Sequence, residues 1–462
     1  MVRNHRLSEK RLFRKPRPPP TGIKITVLLN IYFDWRQGLV FGEGVSRPLS
    51  ALFLDCDSFF ASVEQQLDPA LRGRPVGVAP VMAESTCCIA ASYEAKRHGV
   101  KTGTRVSDAR AMCPGIRIVE AKPAEYVRVH HRVIAAVEDC IHVEAVLSID
   151  EMWAWLPLNW RSVDHVMALG RRIKARVAEH AGECIRVSVG AAPNRYLAKL
   201  ASKMRKPDGL FLIEEGDLPE VLHELALRDL TGVAQSMEAR LHATGIHTVE
   251  ALCAAAKHRL HAAWGGVLGD RMYHHLRGDI VPDLVTVRKS LGHSHVLPPD
   301  SRTPERAWPI VCKLLHKAGE RLRSHQLLAG GLTLHAAISG EGEWTPEIRF
   351  GETDSTLVLM RMLARLWRER PAPRAPLIQV GVTLTRLIER GNHTPDLFAG
   401  RVADLLSQDD RHRRLDECID RLRARYGRQC VYFGTVQDSR DQAPMRISFT
   451  HIPDLGLESD RS

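Results

Sequence analysis

The stretch LFLDCDSFFASVE, Leu52 to Glu64, decides how the rest of the chain is read. It opens on a short, continuous apolar run, Ala51 to Leu54, the pattern of a strand buried on both faces. Two aspartates one residue apart follow, and then two phenylalanines that begin a helical pattern, FFASVEQQL. A carboxylate at the end of a buried strand is costly to desolvate unless a cation or a donor meets it. A helix cap accounts for one acidic or hydroxyl group, with Asp57 or Ser58 capping the helix that follows. Asp55 still needs a partner.

A candidate partner lies about ninety residues later, in LSIDEMWAW, where Asp150 and Glu151 are read as strand residues. Neighbouring strand side chains point to opposite faces, so only one of this pair can face Asp55 unless the backbone bends. Two strand-borne carboxylates with a third acid beside them suit Mg²⁺, which takes hard oxygen ligands and shares them with substrate phosphates. Scattered acids are by themselves most often solvated surface groups. The trio therefore needs context.

The chain has 462 residues, enough for two to four domains, with 44% hydrophobic and 26% charged residues, as in an ordinary globular protein. Its formal net charge of +11 points to a polyanionic partner, nucleic acid before membrane. The ten cysteines include the adjacent Cys87 and Cys88 but no C-x-x-C, which suggests reduced thiols in a cytoplasmic protein and no disulfide framework or zinc site. The pairs His130-His131 and His274-His275 lack the i, i+4 spacing of helical metal ligands and are read as surface residues. No apolar run approaches the ~20 residues of a membrane span.

Residues 1–21 are basic and Pro-rich, read as a disordered tail or as the product of a mis-called start codon. Three consecutive prolines argue against a presequence helix there. The apolar ITVLLNIYF (25–33) receives no function. From Ser50 strands and helices alternate. SALFLDCD, PVGVAPVM and TCCIAASY read as strands, SFFASVEQQL and YEAKRHG as helices, and IHVEAVLSIDEMWAWL as a hairpin. A long helix over SVDHVMALGRRIKARVAEHAG precedes the strand IRVSVGAA. This order fits an α+β domain with helices on one side of an antiparallel sheet. Residues 219–284 read as helical, and LTGVAQSMEARLHATGIHTVEAL resembles a helix-hairpin-helix whose turn amides can grip a phosphate. A second α+β unit follows, with strands GLTLHAAI, TPEIRF and LIQVGVTLTRL and two Arg-rich helices. The end reads as a charged helical tail closing on a short strand, QCVYFGT.

From about Ser50 to Phe398 the chain resembles the Y-family translesion DNA polymerases, the ImpB/MucB/SamB type that includes bacterial DNA polymerase IV and the catalytic subunit of polymerase V. FLDCDSFFASVE looks like the first catalytic motif, YEAKRHGVKTG like the fingers motif and LSIDEMW like the second acidic motif. SVGAAPNRYLAKLASKMRKPDGLFLI looks like the segment closing the palm, and KSLGHSHVLPP like the entry to the little finger. Five motifs in family order are a far more specific signal than any one of them. The resemblance implies a multidomain right-hand polymerase of α+β class. Its parts would be a basic, partly disordered extension (1–49), a palm with fingers (50–218, fingers about 64–118) and a helical thumb (219–285). A linker (286–292), a little-finger DNA-binding domain (293–400) and a C-terminal tail (401–462) would follow.

It also implies roles. Asp55 and Asp150 would hold two Mg²⁺ ions, with the Cys56 carbonyl as a further oxygen ligand and Glu151 completing the site. Asp57 is read as a helix cap and not as a ligand. Phe60 aligns with the steric gate beneath the sugar, and Phe59 with packing beneath the nucleotide or in the palm core. Tyr93, Lys96 and Lys206 match positions that contact the incoming dNTP. Many relatives carry Arg where Lys96 stands, so the bidentate grip is lost there. In the thumb turn Ala234 replaces a glycine, which would distort the turn if that position needs positive φ. PVMAESTCC lacks the usual glycine-rich hairpin. TPDLF, through Leu397 and Phe398, resembles a sliding-clamp-binding peptide, with a buried loop as the equal alternative.

The expected activity is DNA-templated addition of dNTPs to a primer 3′ end with low fidelity, in damage bypass. The expected partners are primer-template DNA and dNTP, with a clamp or accessory mutasome subunits as further partners of a monomer. A catalytically silent polymerase-like adaptor is the alternative; the complete acidic trio Asp55, Asp150 and Glu151 favours the enzyme. Another palm-domain enzyme, such as a nucleotide cyclase, would leave the fingers and the basic C-terminal domain unexplained.

Overall fold

The computed structural model describes residues 31–34, 38–41, 47–284, 287–371, 375–394, 402–427, 430–439 and 452, with the backbone alone for 31–41 and 402–410. Residues 1–30, and Leu397 and Phe398 of the TPDLF peptide, lie outside the described residues.

The first strands, β1 (Ile31–Asp34) and β2 (Gly38–Phe41), pair antiparallel. Next come β3 (Ala51–Cys56), α1 (Phe59–Leu67), β4 (Val76–Ala79), β5 (Ala90–Ala91), α2 (Tyr93–Lys96), α3 (Val106–Met112) and β6 (Arg117–Glu120). The chain continues through α4 (Pro123–Glu138), β7 (Ala145–Val146), β8 (Glu151–Trp155), α5 (Val163–Ala181), β9 (Val187–Ala192), α6 (Arg195–Met204) and β10 (Leu210–Leu212). Four helices follow: α7 (Gln235–Ala243), α8 (Val249–Ala254), α9 (Lys257–Trp264) and α10 (Val267–His275). The last elements are β11 (Ser290–Val296), α11 (Pro304–Ser324), β12 (Leu327–Ile338), β13 (Gly342–Trp344), β14 (Glu347–Thr353), α12 (Thr356–Arg368), β15 (Leu377–Glu389) and α13 (Val402–Tyr426).

β3 is the middle strand of a five-stranded sheet ordered β10-β9-β3-β8-β7, and every residue of it is buried. Burial on both faces is what its unbroken apolar run requires. The sheet is not wholly antiparallel, because β10 pairs parallel to β9. The helix α6 between them supplies the crossover that a parallel pair needs. Gly190 permits the crossover, since a Cβ there would meet the Ala198 carbonyl oxygen at 2.2 Å. A second sheet, β5-β4-β6, is also mixed, with β4 and β6 parallel.

The chain clusters into two compact units that interleave in sequence, one from Met1–Leu54, Trp153–Arg171 and Ser188–Asp283, the other from Asp55–Met152, Arg172–Val187 and Leu284–Ser462. In the first unit the turn before α7 relieves the concern about Ala234. Gly232 carries the positive φ (89°), while Ala234 is extended at φ −94° and costs no strain. His274 and His275 are not free surface residues. His274 Nδ1 hydrogen-bonds the Asp279 carboxylate at 2.8 Å, and the His275 ring stacks on Tyr196 at 5.1 Å. Burial, followed by Arg271 and Arg195, pushes the His275 pKa down to about 4. Their spacing excludes helical metal ligation and says nothing of burial.

In the second unit small residues such as Ala79, Ala91, Ala95 and Ala109 form the core around β4, α2 and α3. Farther along, β11-β15-β12-β13, with β14 also on β12, packs α11 and α12 over a core that includes Leu315, Leu332, Leu363 and Val382. β11 begins at Ser290, so the last residues of the segment read as linker belong to the sheet. QCVYFGT forms no strand among its described residues. Phe433 packs against His316 of α11 at 4.7 Å and a short 3₁₀ turn, Gly434–Ser439, follows; a helix surface offers no ladder to pair with.

Charge fastens α13 to this unit. Buried Arg323 donates to both Asp420 carboxylate oxygens (2.6 and 2.9 Å), to the Asp354 carbonyl and to the Thr356 hydroxyl (both 2.9 Å). The Thr356 amide donates to Asp416 at 2.9 Å. Burial opposes the Arg323 charge, but Asp420, Asp416 and Asp354 outweigh it and raise its pKa. Arg323→Ala strands the buried Asp416 and the partly buried Asp420 and is expected to cost about 3–5 kcal/mol in chemical denaturation; a loss under ~1 kcal/mol would mean the acids are solvated. His316, held down to about 3 by burial and then by Arg423 and Arg323, is neutral when folded and protonated when unfolded below the ordinary ~6.5. Stability therefore falls as pH drops from ~6.5 toward the folded value, by about 1.4 kcal/mol per unit from this group. His316→Phe is expected to flatten urea-unfolding free energies between ~pH 6 and ~4, and an unchanged slope would contradict the assignment.

Candidate active site

Only Asp57 and Ser58 separate the end of β3 at Cys56 from the start of α1 at Phe59. So short a reversal is reached by placing Ser58 in the left-handed region, at φ 47° and ψ 42°. Serine is rarely found there, and such residues concentrate at functional turns. Ser58 occupies the cap position of α1 without a side-chain cap bond, so Asp57 is not the cap expected from sequence. Instead the Asp57 carboxylate accepts the Tyr93 hydroxyl at 3.2 Å, and its carbonyl accepts the Ser62 hydroxyl at 2.7 Å.

Asp55 is buried at the end of β3. The Cys56 amide donates to the Asp150 carbonyl at 2.8 Å, which brings the second acidic segment against the first. Asp150 is not a strand residue: it lies in a bend before β8, and Glu151 is the first residue of β8. The Ser148 hydroxyl shapes that bend, donating to the Asp150 carboxylate at 2.5 Å and accepting the amides of Asp150 (3.3 Å) and Glu151 (3.0 Å). The strand alternation that would have set Asp150 and Glu151 on opposite faces does not apply across it. Among the described residues no three His, Cys, Asp or Glu side chains stand close enough together to hold a metal ion. The donors on offer are carboxylate and carbonyl oxygens, the chemistry that suits Mg²⁺.

Residues of α2 meet the same turn. Lys96 donates to the Ser58 hydroxyl at 2.6 Å, and its ammonium lies 4.3 Å from the Tyr93 ring centre. Ser92 caps α2 and sets both residues one turn apart, its hydroxyl accepting the Ala95 amide. Burial, then the Asp57 and Asp55 charges, raise the Tyr93 pKa, so the phenol stays a donor at neutral pH.

Phe59 and Phe60 are both buried, their ring centres 6.0 Å apart. Phe60 stacks on Tyr126 of α4, with centres 4.7 Å apart and planes 19° from parallel. The Tyr126 hydroxyl donates to Glu64 at 2.7 Å, and Lys122 meets the other Glu64 oxygen at 2.5 Å. One turn beyond Tyr126, buried His130 bonds the Ile149 carbonyl at 2.7 Å, and burial holds its pKa down at about 4. It is therefore a core residue holding the Asp150 bend, not the surface residue expected.

Lys206 lies in the first unit, half-buried in the loop between α6 and β10. Sequence reasoning passed over Glu64, Tyr126, His130 and Ser148. The available signal was the i, i+4, i+8 spacing of Lys122, Tyr126 and His130 on a helix, which puts three polar-tipped side chains along one face.

Residues 54–203 match the impB/mucB/samB family and residues 288–397 the C-terminal domain of that family. The chain is 35% identical to the DNA polymerase IV of Moorella thermoacetica over 84% of its own length and 96% of that protein. It is 30% identical to the DNA polymerase IV of Pelotomaculum thermopropionicum over 82% of its length and 93% of that protein. Among solved structures it is similar to a Y-family DNA polymerase chimera of Dbh and Dpo4, with a TM-score of 0.62, 25% identity and coverage of 74% of this chain and 99% of the other. An insertion ternary complex of Dbh DNA polymerase shares the fold, with a TM-score of 0.50 and 24% identity over 74% of this chain and 99% of that one. The acids, α2 and these likenesses agree: the chain belongs to the impB/mucB/samB family, the Y-family translesion DNA polymerases, and is by family a DNA-directed DNA polymerase.

Proposed function

We propose that the chain adds dNTPs to a DNA primer opposite damaged template bases, with low fidelity and by a two-metal mechanism. One observation carries the reading: Tyr93 and Lys96 of the fingers bond the Asp57-Ser58 turn, directly after Asp55 and against the Asp150 segment. Phosphate-binding groups and acids are thereby joined through one reversal of the chain. The relatives named DNA polymerase IV support the same activity.

Asp55 and Asp150, with Glu151 and the Cys56 carbonyl, would hold two Mg²⁺ ions. When bound, they would supply Lewis-acid chemistry, lowering the pKa of the primer 3′-hydroxyl and offsetting charge on the leaving pyrophosphate. Tyr93 offers a neutral donor to the triphosphate, and Lys96 a mobile point charge in place of a guanidinium fork. Lys206 is assigned to the same triphosphate. Phe60 lies under the sugar and excludes a 2′-hydroxyl, while Phe59 packs behind it. Leu397 and Phe398 are assigned to a sliding clamp. No helix among the described residues is long and apolar enough to cross a membrane, in keeping with a cytoplasmic enzyme.

Asp55→Ala and Asp150→Ala are each expected to abolish primer extension while DNA affinity stays within a few-fold, because phosphate contacts by basic residues supply most of that affinity. Extension at the wild-type rate in either variant would remove the site. Phe60→Ala is expected to raise the ratio of matched ribonucleotide to deoxynucleotide insertion by about 10²–10³, the equivalent of a clash of ~3–4 kcal/mol. Phe59→Ala is the control. A selectivity change at Phe59 and not at Phe60 would reverse the two assignments.

A further inference from the structure

We infer that Tyr126 is a positioning residue for sugar selection: its ring is the backstop that keeps Phe60 from yielding to a ribose. The inference rests on the reading of Phe60 as the sugar gate. A bulky ring discriminates only if it cannot move aside, and a side chain can leave its rotamer well or follow a small helix shift. Tyr126 removes that freedom on one side, because its ring lies nearly parallel to Phe60 at 4.7 Å and is itself fully buried.

The backstop is anchored in turn. The Tyr126 hydroxyl donates to Glu64 (2.7 Å), whose carboxylate is wholly buried and meets Lys122 through its second oxygen (2.5 Å). Phe60 and Glu64 are four residues apart on α1, so they lie one above the other on a single face. Tyr126 touches both. A ring that needed only to fill the core would be served by phenylalanine or leucine. A tyrosine tied to a buried carboxylate fixes the ring's position as well as its volume, since leaving either group unpaired is costly. Burial, then the Glu64 charge, raise the Tyr126 pKa and keep the phenol a donor.

The experiment is single-nucleotide insertion of matched dNTP and rNTP on primer-template DNA, with kcat/KM reported as the ribo-to-deoxy ratio, alongside thermal unfolding. Variants are Tyr126→Leu, Tyr126→Phe, Phe60→Ala and the double variant Tyr126→Leu/Phe60→Ala. Tyr126→Leu is expected to raise the ratio about tenfold, equal to ~1.4 kcal/mol. Tyr126→Phe, which keeps the ring and loses the anchor, is expected to raise it about threefold. In the Phe60→Ala background Tyr126→Leu should add nothing to the ratio, because the ring it braces is gone; residues acting through one another are non-additive. If Tyr126→Leu lowers the melting temperature and leaves the ratio at the wild-type value, Tyr126 is core packing and the inference is overturned. An equal effect of Tyr126→Leu with and without Phe60 also overturns it. If Phe60→Ala itself leaves the ratio unchanged, the gate assignment has failed first, a result separate from a working gate that needs no backstop. Should the leucine variant not fold, Tyr126→Met, about as large as leucine but flexible enough to fill the gap, carries the same expectation.

Discussion

The left-handed turn at Ser58 is the constraint on which the site depends. β3 ends buried and α1 begins two residues later, so Asp55 and Phe60 are placed by one short reversal and not by separate loops. A longer connection would let Asp55 and the Phe60 ring drift independently. The reversal is held from several sides: Lys96 on the Ser58 hydroxyl, Tyr93 on the Asp57 carboxylate and the Arg186 carbonyl on the Asp57 amide (2.9 Å). An uncommon φ for serine is maintained because so many bonds specify it.

Much of this was legible in the sequence, and the reason is that the local signals agreed. The run Ala51 to Leu54 has the pattern of a strand buried on both faces, and FFASVEQQL that of a helix. Gly232 and Gly245 marked turns that do adopt positive φ, at 89° and 77°. What escaped notice depended on tertiary contact. Asp57 looks like a cap in any one-dimensional reading, and only the arrival of Tyr93 from thirty-six residues away takes its carboxylate elsewhere. Asp150 looked like a strand residue because LSIDEMWAW alternates well enough. The Ser148 hydroxyl, by bonding two successive amides, turns the chain before the strand begins. The parallel edge β10 was hidden for a simpler reason: three residues carry almost no periodic signal.

His130 and Tyr126 show why polar-tipped residues on a helix are misread. Each presents a ring to the core and a single donor to one acceptor, so neither hydropathy nor metal-ligand spacing distinguishes it from a surface residue. Together with Lys122 they make α4 a rail against which α1 and the Asp150 bend are aligned. One end grips Glu64 on α1 and the other the Ile149 carbonyl beside Asp150. The separation between Phe60 and Asp150 is thereby referred to a single rigid element, and a helix keeps such a distance better than loops do.

α13 extends the same argument to the far end of the chain, beyond the residues that match the family C-terminal domain. Its sequence is dense in charge and reads as a solvated tail. Asp416, Asp420 and Arg423 recur at helical spacing, however, and they face Arg323, Thr356 and Glu320, so a charged face is the buried one. Buried ion pairs add little net stability over apolar residues of similar shape. Their value here lies in register: an apolar stripe tolerates a slide by one turn, whereas the Arg323 fork accepts two Asp420 oxygens in one geometry. A slide would leave Arg323, Asp416 and Asp420 buried and mispaired, which is far costlier than any contact it could recover. The helix is thus held in place less by what its bonds contribute than by what their loss would cost.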